Sequence, residues 1–394
     1  MQNRRGGIAL SSAVSDGRAV WYAWIAWAVL FLVTAAIIVG GSGRTVVPAY
    51  REGAVSWVAG HFIYHHIGVG GFPYLPQAAI LFIPFSLFSV IAGEVVWRLV
   101  NIAVFALGIF HFAGLAEGRS GKKFFPLMTL VTLPMAWDCA RNGQATLAMT
   151  GLMLLAVIAV AQRRWWRATL WLSLGISVKP LMVVLVLLIM AIDRPMSWRL
   201  AVGLVVTALL PFLAQHPGYV MEQYAGCWKH FTTAAHVGAT EGGWTSPFHA
   251  LRLVGVAIPE MVQTALRLAA ALGTLVLCWL SRRRHDAVGS AIFIFSLSVA
   301  YLMLFSPRTE NNTYAMLGPA IAVFLAGAYL VEKRFREGLL LGGIVFAILG
   351  GRVIERLLTP HAGTSWLSPL MAVCFTAYLL GRFFRDMQTP QEQG

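Results

Sequence analysis

The chain has 394 residues, of which 58% are hydrophobic and only 12% are charged, and its mean hydropathy is +0.71. This composition excludes a single soluble globular unit, and the repeated apolar runs of about 17–24 residues are long enough to cross a bilayer as helices. The net charge of +14 does not indicate nucleic-acid binding, because the Lys and Arg residues form short clusters between apolar runs, as in membrane proteins. The composition therefore predicts an all-α, polytopic helical membrane protein.

About twelve apolar runs follow one another and predict about twelve transmembrane helices in a single integral membrane domain over residues 1–394. They lie near Val20–Gly40, Pro76–Ala92, Val95–Leu115, Phe124–Trp137, Ala145–Ala161, Ala168–Ala191, Leu200–Ala214, Val262–Leu280, Ala287–Phe305, Tyr314–Val331, Leu339–Leu349 and Leu367–Gly381. The first run is too long for the core of a signal peptide, which favours a retained first span.

Basic clusters predict the orientation of these spans, because Lys and Arg accumulate in cytoplasmic connections. The clusters that mark cytoplasmic ends are Arg4-Arg5, Arg194–Arg199, Arg282–Arg284, Lys333–Arg336 and Arg382–Arg385. They place both termini inside and predict external regions at 41–75 and 215–260. We therefore expect a multi-pass protein of the bacterial inner membrane whose active site faces the periplasm or exterior.

Two further basic clusters, Arg119–Lys123 and Arg163–Arg167, would fall outside if every apolar run crossed once. A half-span or split helix is therefore expected between Pro76 and Ala191. The best candidate is the run Ala168–Ala191, because proline removes a backbone donor and lysine is unfavourable at bilayer depth. Lys179-Pro180 thus predicts two short helices that meet at a polar cavity.

The first external region contains VSWVAGHFIYHH (Val55–His66), in which aromatic and aliphatic residues alternate with polar ones. This pattern favours a helix lying in the membrane interface. An ordinary surface loop is the alternative.

The stretch Tyr50–Phe85 contains a tyrosine, a small-residue segment that ends in Gly and Tyr, and the aromatic segment FPYLP ahead of an apolar helix. With these features it resembles the polyprenol-phosphate-mannose-dependent mannosyltransferases of glycosyltransferase family 87, in the GT-C superfamily. Further pieces occur in the family's order: Asn142-Gly143-Gln144 at a helix start, Lys179-Pro180 inside a span, and Ser306–Asn312 ahead of a late one.

The resemblance implies a GT-C-like fold and a hexosyltransferase. Such an enzyme moves a mannose-like sugar, with inversion, from a polyprenyl phosphate to a lipid or glycan acceptor on the outer side. It also implies an acidic residue at about the position of Thr45. The threonine that this chain carries there cannot act as a general base at neutral pH. Glu52 is the only acidic residue of 41–75 and is our candidate catalytic base. A solvated glutamate, or a partner for Arg51 or Arg44, is the alternative.

Transfer from a lipid phosphate also requires groups that hold the leaving phosphate and the sugar. Lys179 and Arg308 suit phosphate recognition, because a charge beside a helix end in the membrane is unfavourable unless an anion meets it. The other candidates for substrate binding are Tyr50, His65, His66, Tyr74, Asn142, Gln144, Glu310 and Asn312. A headgroup anchor for Arg308, interfacial packing of the histidines and turn chemistry at Glu310 and Asn312 are the alternatives.

The sequence contains no zinc spacing such as HExxH, no Walker loop and no GxGxxG after a strand, so no cofactor is predicted, although a divalent metal is not excluded. The expected partners are a polyprenyl-phosphate sugar, a lipid or glycan acceptor and membrane lipid, without nucleic acid. A non-catalytic transporter or flippase of lipid-linked glycans is the alternative function. Transporters often pair broken helices between two halves, and the second half has no counterpart of Lys179-Pro180, which favours the enzyme.

Overall fold

The structure is a computed structural model, and it describes residues 4–41, 44–66, 71–118, 121–240, 245–306, 309–359 and 365–388. The side chains of residues 4–16 and 234–240 are outside this description. Within these ranges the secondary structure is entirely helical, which confirms the predicted all-α class.

Sixteen α-helices occur in the described part of the chain. They are α1 (Arg4–Val39), α2 (Val47–Val58), α3 (Pro76–Ser86), α4 (Val90–Glu117), α5 (Phe124–Asn142), α6 (Thr146–Ala161), α7 (Trp165–Val178), α8 (Val183–Ile192), α9 (Arg194–Leu209), α10 (Pro217–Thr240), α11 (Pro247–Leu253), α12 (Glu260–Arg284), α13 (Ala287–Phe305), α14 (Leu317–Ala326), α15 (Phe335–Leu358) and α16 (Leu367–Gln388).

Eight helical segments of the described chain are long and apolar enough to cross a membrane. They are Gly17–Val39, Val90–Glu117, Arg194–Leu213, Glu260–Arg284, Ala287–Phe305, Asn311–Glu332, Phe335–Leu358 and Leu367–Gln388. Three apolar helices are shorter: Pro76–Ser86, Thr146–Ala161 and Pro180–Ile192. The helices confirm a multi-pass membrane protein, but the predicted number of twelve spans is not confirmed.

The run Pro76–Ala92 is not one continuous span. It divides into α3 and the start of α4, where Ser89 accepts a hydrogen bond from the backbone N–H of Ala92 and caps the second helix. The 11 residues of α3 extend about 16 Å, roughly half the hydrocarbon thickness of a bilayer. The first long helix after α1 is therefore α4.

The run Ala168–Ala191 also divides, at Lys179, into α7 and α8. Lys179 contacts Thr146 at the start of α6, whereas Ile189 of α8 shares a cavity with Val157 and Val160 near the end of α6. The two helices therefore form a hairpin with Lys179 at its tip, and this run turns back on itself instead of crossing once.

The hairpin and the short α3 explain the basic clusters that did not fit a simple count. Thr45, Gly143 and Lys179 lie at one end of the bundle, which we call the site end. The last turns of α4 and α6 lie at the opposite, basic end, where Arg282 pairs with Asp193 at 2.9 Å. The described members of the two clusters, Lys122-Lys123 and Arg163–Arg167, thus belong to the basic end.

The two predicted external regions contain helices that pack against each other. In the first, the helix is α2, which begins at Val47 with proline in its first turn and ends at Val58, before most of the segment predicted to be helical. The region 215–260 contains α10 and α11. Gln223 of α10 accepts a hydrogen bond from the backbone N–H of Ile63 at 3.0 Å, so α10 covers the first region.

The core lies among α4, α5, α6, α13 and α14, whose inward side chains are almost completely buried. In the most apolar stretch of α13, 72% of the residues are buried. The same share is 11% in α12 and 17% in the segment that begins at Arg194. The helix α12 and the segment with α9 therefore lie at the periphery, with much of their surface available to lipid.

Candidate functional site

Four polar side chains from three separate parts of the chain meet at the site end. Gln144 donates from its amide to a carboxylate oxygen of Glu310 at 2.7 Å. Lys179 donates to the hydroxyl of Thr146 at 2.7 Å, and that hydroxyl lies 3.4 Å from the amide oxygen of Gln144. We call Gln144, Thr146, Lys179 and Glu310 the polar cluster. It joins three residues that the sequence singled out with one that it did not.

The local backbone positions each member of the polar cluster. Gly143 ends α5 in the left-handed conformation, at φ 66°, and so turns the chain to present Gln144. Pro180 follows Lys179 at the tip of the hairpin, where the missing N–H of a proline is tolerated. Glu310 caps the turn Asn311–Met316 through a reciprocal hydrogen-bond pair with Thr313.

The polar cluster combines opposite charges that are not directly paired. Lys179 is attracted by the carboxylate of Glu310, yet its hydrogen bond goes to Thr146. An ammonium has three donors, so further donors remain for an anion. Glu310 is exposed and Lys179 is partly buried, which makes the cluster accessible from solution.

Two tyrosines lie beside this cluster. The hydroxyls of Tyr50 and Tyr74 are 2.8 Å apart, and Tyr64 donates to the backbone carbonyl of Tyr74 at 2.7 Å. Burial raises the pKa of Tyr50, Tyr64 and Tyr74 above the usual tyrosine value. These phenols are therefore neutral at physiological pH and can offer hydrogen bonds and ring faces but no charge.

A small apolar pocket, with a cavity volume of about 30 Å³, adjoins the same residues. It is lined by Tyr50, Phe72, Tyr74, Ala78, Leu81, Phe82, Trp97, Ala145 and Val178. Ala145 directly follows Gln144 in the chain, and Val178 directly precedes Lys179. The pocket and the polar cluster are therefore neighbours. The site end thus offers an aromatic, apolar surface next to a cation and a carboxylate.

A buried ion pair supports the turn that carries Gln144. Arg98, which is fully buried, binds the carboxylate of Glu94 at 2.9 Å, the hydroxyl of Thr45 at 3.0 Å and the carbonyl of Arg141 at 2.9 Å. Thr45 donates to the same carboxylate at 3.0 Å. Trp97 adds a hydrogen bond to the carbonyl of Gly143 at 2.8 Å.

Sequence reasoning missed Glu94 and Arg98, although a signal was present. A glutamate and an arginine four residues apart lie on one face of a helix, and two such charges within an apolar span indicate a paired, functional or structural site. Thr146 also escaped notice, because a threonine at a helix start usually indicates capping.

The predicted base, Glu52, does not join the polar cluster. It follows Tyr50 by two residues on α2, and so projects from the opposite side of that helix. Its side chain is 59% exposed and lies 3.0 Å from Nε2 of His65, which is also exposed. Hydrogen bonds to the carbonyl of Phe62 and to Glu52 raise the pKa of His65. The catalytic role of Glu52 stays a prediction.

The other predicted contacts are distributed around the site. Asn142 is partly buried, and its carbonyl accepts from the backbone N–H of Val46 at 3.0 Å. Asn312 is buried, and its side-chain oxygen has no partner among the described residues. His66 is exposed next to His65. Arg308 lies outside the described residues.

The described residues contain no group of three His, Cys, Asp or Glu side chains that could hold a metal ion. The polar cluster has one carboxylate, one amide, one hydroxyl and one ammonium. An ammonium beside a would-be metal opposes cation binding by charge repulsion. The arrangement suits an anionic or hydroxyl-rich substrate better than a metal.

The fold and the site define a polytopic membrane protein with an accessible polar site beside an apolar pocket at one end of its helical bundle. The model of glycosyltransferase family 87 matches residues 72–307. Because this match covers more than half of the chain, the protein belongs to glycosyltransferase family 87, as the sequence resemblance implied. It is a membrane glycosyltransferase.

Two solved structures are also similar to the chain. ArnT from Cupriavidus metallidurans bound to undecaprenyl phosphate is 17% identical, with a TM-score of 0.47, over 92% of this chain and 78% of that one. The apo state of the same ArnT is 15% identical, with a TM-score of 0.42, over 91% and 77%. No curated protein matches the chain.

Proposed function

We propose that the protein transfers a hexose, mannose-like, from a polyprenyl-phosphate donor to a lipid or glycan acceptor, with inversion, at the site end. Membership of family 87 supports glycosyl transfer. The observation that carries the proposal further is the polar cluster beside the apolar pocket. A lipid-phosphate sugar needs both surfaces at once, because its phosphate and sugar are polar and its chain is apolar.

In this reaction the acceptor oxygen bonds to the anomeric carbon as the carbon–oxygen bond to the phosphate breaks. The phosphate leaves with the electron pair, and the acceptor proton goes to a carboxylate. Lys179 supplies a cation for the growing negative charge on the leaving phosphate, where fixed positive groups act most strongly on the rate. Arg308, as predicted from the sequence, would add a planar fork of donors.

The side chains that line the pocket offer surfaces for the rest of the donor. The rings of Tyr50, Tyr74 and Trp97 line it and provide flat apolar faces for a sugar ring or the first units of a polyprenyl chain. Gln144 and Asn312 supply amide groups for sugar hydroxyls, since the Oδ1 atom of Asn312 is buried without a partner in the described structure.

Two carboxylates are candidates for the proton acceptor. Glu52 is exposed and paired with His65, at a face of α2 that is turned away from Tyr50. Glu310 belongs to the polar cluster and is also exposed. A general base must come within hydrogen-bond reach of the acceptor hydroxyl. Glu52→Gln and Glu310→Gln therefore separate the two assignments.

The test is transfer of radiolabel from a polyprenyl-phosphate [¹⁴C]mannose to lipid or glycan products in membranes that contain the protein. Lys179→Met should reduce turnover by about a hundredfold or more, because transition-state stabilisation by a charged donor is lost. Lys229→Met is the matched control, since Lys229 is an exposed lysine on α10 away from the cluster. Loss of turnover in Glu52→Gln, with activity in Glu310→Gln, would support the predicted base.

Two results would contradict the proposal. One is equal transfer by wild-type protein and Lys179→Met. The other is transfer that does not exceed the background of membranes without the protein, together with movement of the intact donor between leaflets of proteoliposomes. The second result would favour the transporter or flippase function instead.

A further inference from the structure

An arginine lies inside the most lipid-exposed long helix of the bundle. Arg267 follows Glu260, the first residue of α12, by seven positions, which places it about 10 Å along the helix axis. Its neighbours Leu266, Leu268 and Leu272 are 43%, 62% and 65% exposed. An ionised side chain at this depth is unfavourable unless it reaches water or meets an anion.

The protein supplies Arg267 with few partners. One guanidinium nitrogen donates to the side-chain oxygen of Gln263 at 3.3 Å, and the guanidinium carbon lies 5.4 Å from the ring centre of Phe248. Its Nε is buried and has no hydrogen-bond partner in the described part of the chain. Glu260 attracts it, but no carboxylate of the described residues comes within the 4.0 Å of an ion pair.

The position of the guanidinium is close to the headgroup boundary of the bilayer. The 25 residues of α12 span about 37 Å, so the helix extends about 3–4 Å beyond each side of a hydrocarbon core of about 30 Å. A helical side chain points towards the N-terminus of its helix, which brings the guanidinium of Arg267 back towards Gln263, near the boundary between acyl chains and headgroups.

The surroundings of Arg267 fit a headgroup with a phosphate. The residue is partly exposed where α11, α12 and α13 meet, since Phe248 belongs to α11 and the Tyr301 hydroxyl of α13 donates to the Arg267 carbonyl at 3.4 Å. A guanidinium has five N–H donors in a planar fork. One of them has a partner among the described residues, so terminal N–H donors remain for a ligand that enters this partly exposed junction.

We propose that Arg267, oriented by Gln263, binds the phosphate of an anionic glycerophospholipid that approaches α12 from the bilayer. The site is separate from the polar cluster around Lys179 and goes beyond the proposed transfer reaction. Binding is measured without turnover, so its failure and the failure of the proposed function are distinguishable. Arg267 acts here as a ligand-binding residue and has no part in the chemical step.

Native mass spectrometry of the purified full chain, with dioleoyl phosphatidylglycerol added, tests the site. Wild-type protein should retain one phosphatidylglycerol that Arg267→Gln binds at least tenfold more weakly. Arg267→Lys should recover only part of the affinity, because the fork is lost. Arg356→Gln is the matched control, since Arg356 is exposed in the last turn of α15 at the same end of the bundle, and it should bind like wild type.

The ligand arms identify the chemistry. Dioleoylglycerol, which lacks the phosphate, should not bind at this site, and neither inorganic phosphate nor a polyprenyl phosphate should displace phosphatidylglycerol at equal concentration. Equal binding by Arg267→Gln, equal binding of dioleoylglycerol, or displacement by either phosphate would overturn the proposal. If Arg267→Gln does not fold, photoactivatable phosphatidylglycerol on wild-type protein must label residues 260–270, and the absence of label there overturns it equally.

Discussion

Replacement of Arg98 by methionine should destabilise the fold strongly. Arg98 is fully buried and donates to Glu94, Thr45 and the carbonyl of Arg141, at distances between 2.9 and 3.2 Å. Methionine fills a similar length without charge or donors. Among the described residues, it leaves the carboxylate of Glu94, whose side chain is 9% exposed, with Thr45 as its remaining partner.

The magnitude follows from the charge that stays behind. Removal of one member of a buried ion pair costs about 3–5 kcal/mol, because the other charge is left uncompensated. Glu94→Gln should cost less than Arg98→Met, since glutamine still accepts a hydrogen bond from the arginine. The double variant Glu94→Leu with Arg98→Met removes both charges, and its loss of stability should be at least about 2 kcal/mol smaller than the sum of the single losses.

Unfolding with increasing mole fractions of SDS in mixed micelles measures these free energies. Arg334→Met is the matched control, because Arg334 pairs with Glu337 at 3.3 Å in a position that is 50% exposed, where an ion pair contributes about 1 kcal/mol or less. The reasoning is refuted if Arg98→Met loses no more stability than Arg334→Met, or if the single losses add in the double variant.

Three further outcomes are expected. Gly143→Ala should lower the free energy of unfolding by about 1–2 kcal/mol, as measured in the same SDS titration, because φ is +66° there and a Cβ would lie 2.5 Å from a side-chain carbon of α2. The pKa of His65, followed by NMR of its ring, should exceed the ordinary value of 6.5. Glu52→Gln should lower this pKa only in part, because the stronger cause is a hydrogen bond to a backbone carbonyl. An identical His65 pKa in wild type and Glu52→Gln would show that the pair does not form in solution. A cysteine at Lys229 should react with a membrane-impermeant maleimide in intact cells and one at Lys122 only after permeabilisation, since these exposed positions lie at the site end and the basic end; the reverse pattern would invert the predicted orientation.

Much of the architecture was predictable from local properties of the sequence. Hydropathy alone determined an all-helical membrane protein, because spans of about 20 apolar residues have no other stable form in lipid. Lys179-Pro180 indicated where a long apolar run divides, since the effect of a proline on its own helix is local. The order of short motifs along the chain also determined the family.

Local properties did not determine which side chains meet. Gln144 and Glu310 are 166 positions apart, and the two hydroxyls of Tyr50 and Tyr74 come from a helix and a loop whose relative placement depends on everything packed around them. Glu52 was singled out because it is the only acidic residue of its region, yet the face of α2 that it occupies points away from Tyr50.

The pair of Glu94 and Arg98 shows the physical reason. Its two charges were visible in an apolar run of the sequence. The contribution of the pair to stability, however, depends on its contacts with Thr45 and Arg141, which reach it only when α1, α4 and α5 are packed together. Hydrophobicity and backbone propensity act over a few residues and therefore appear in the sequence. Hydrogen bonds and ion pairs act over about 3 Å, and only the packed helices bring distant residues that close.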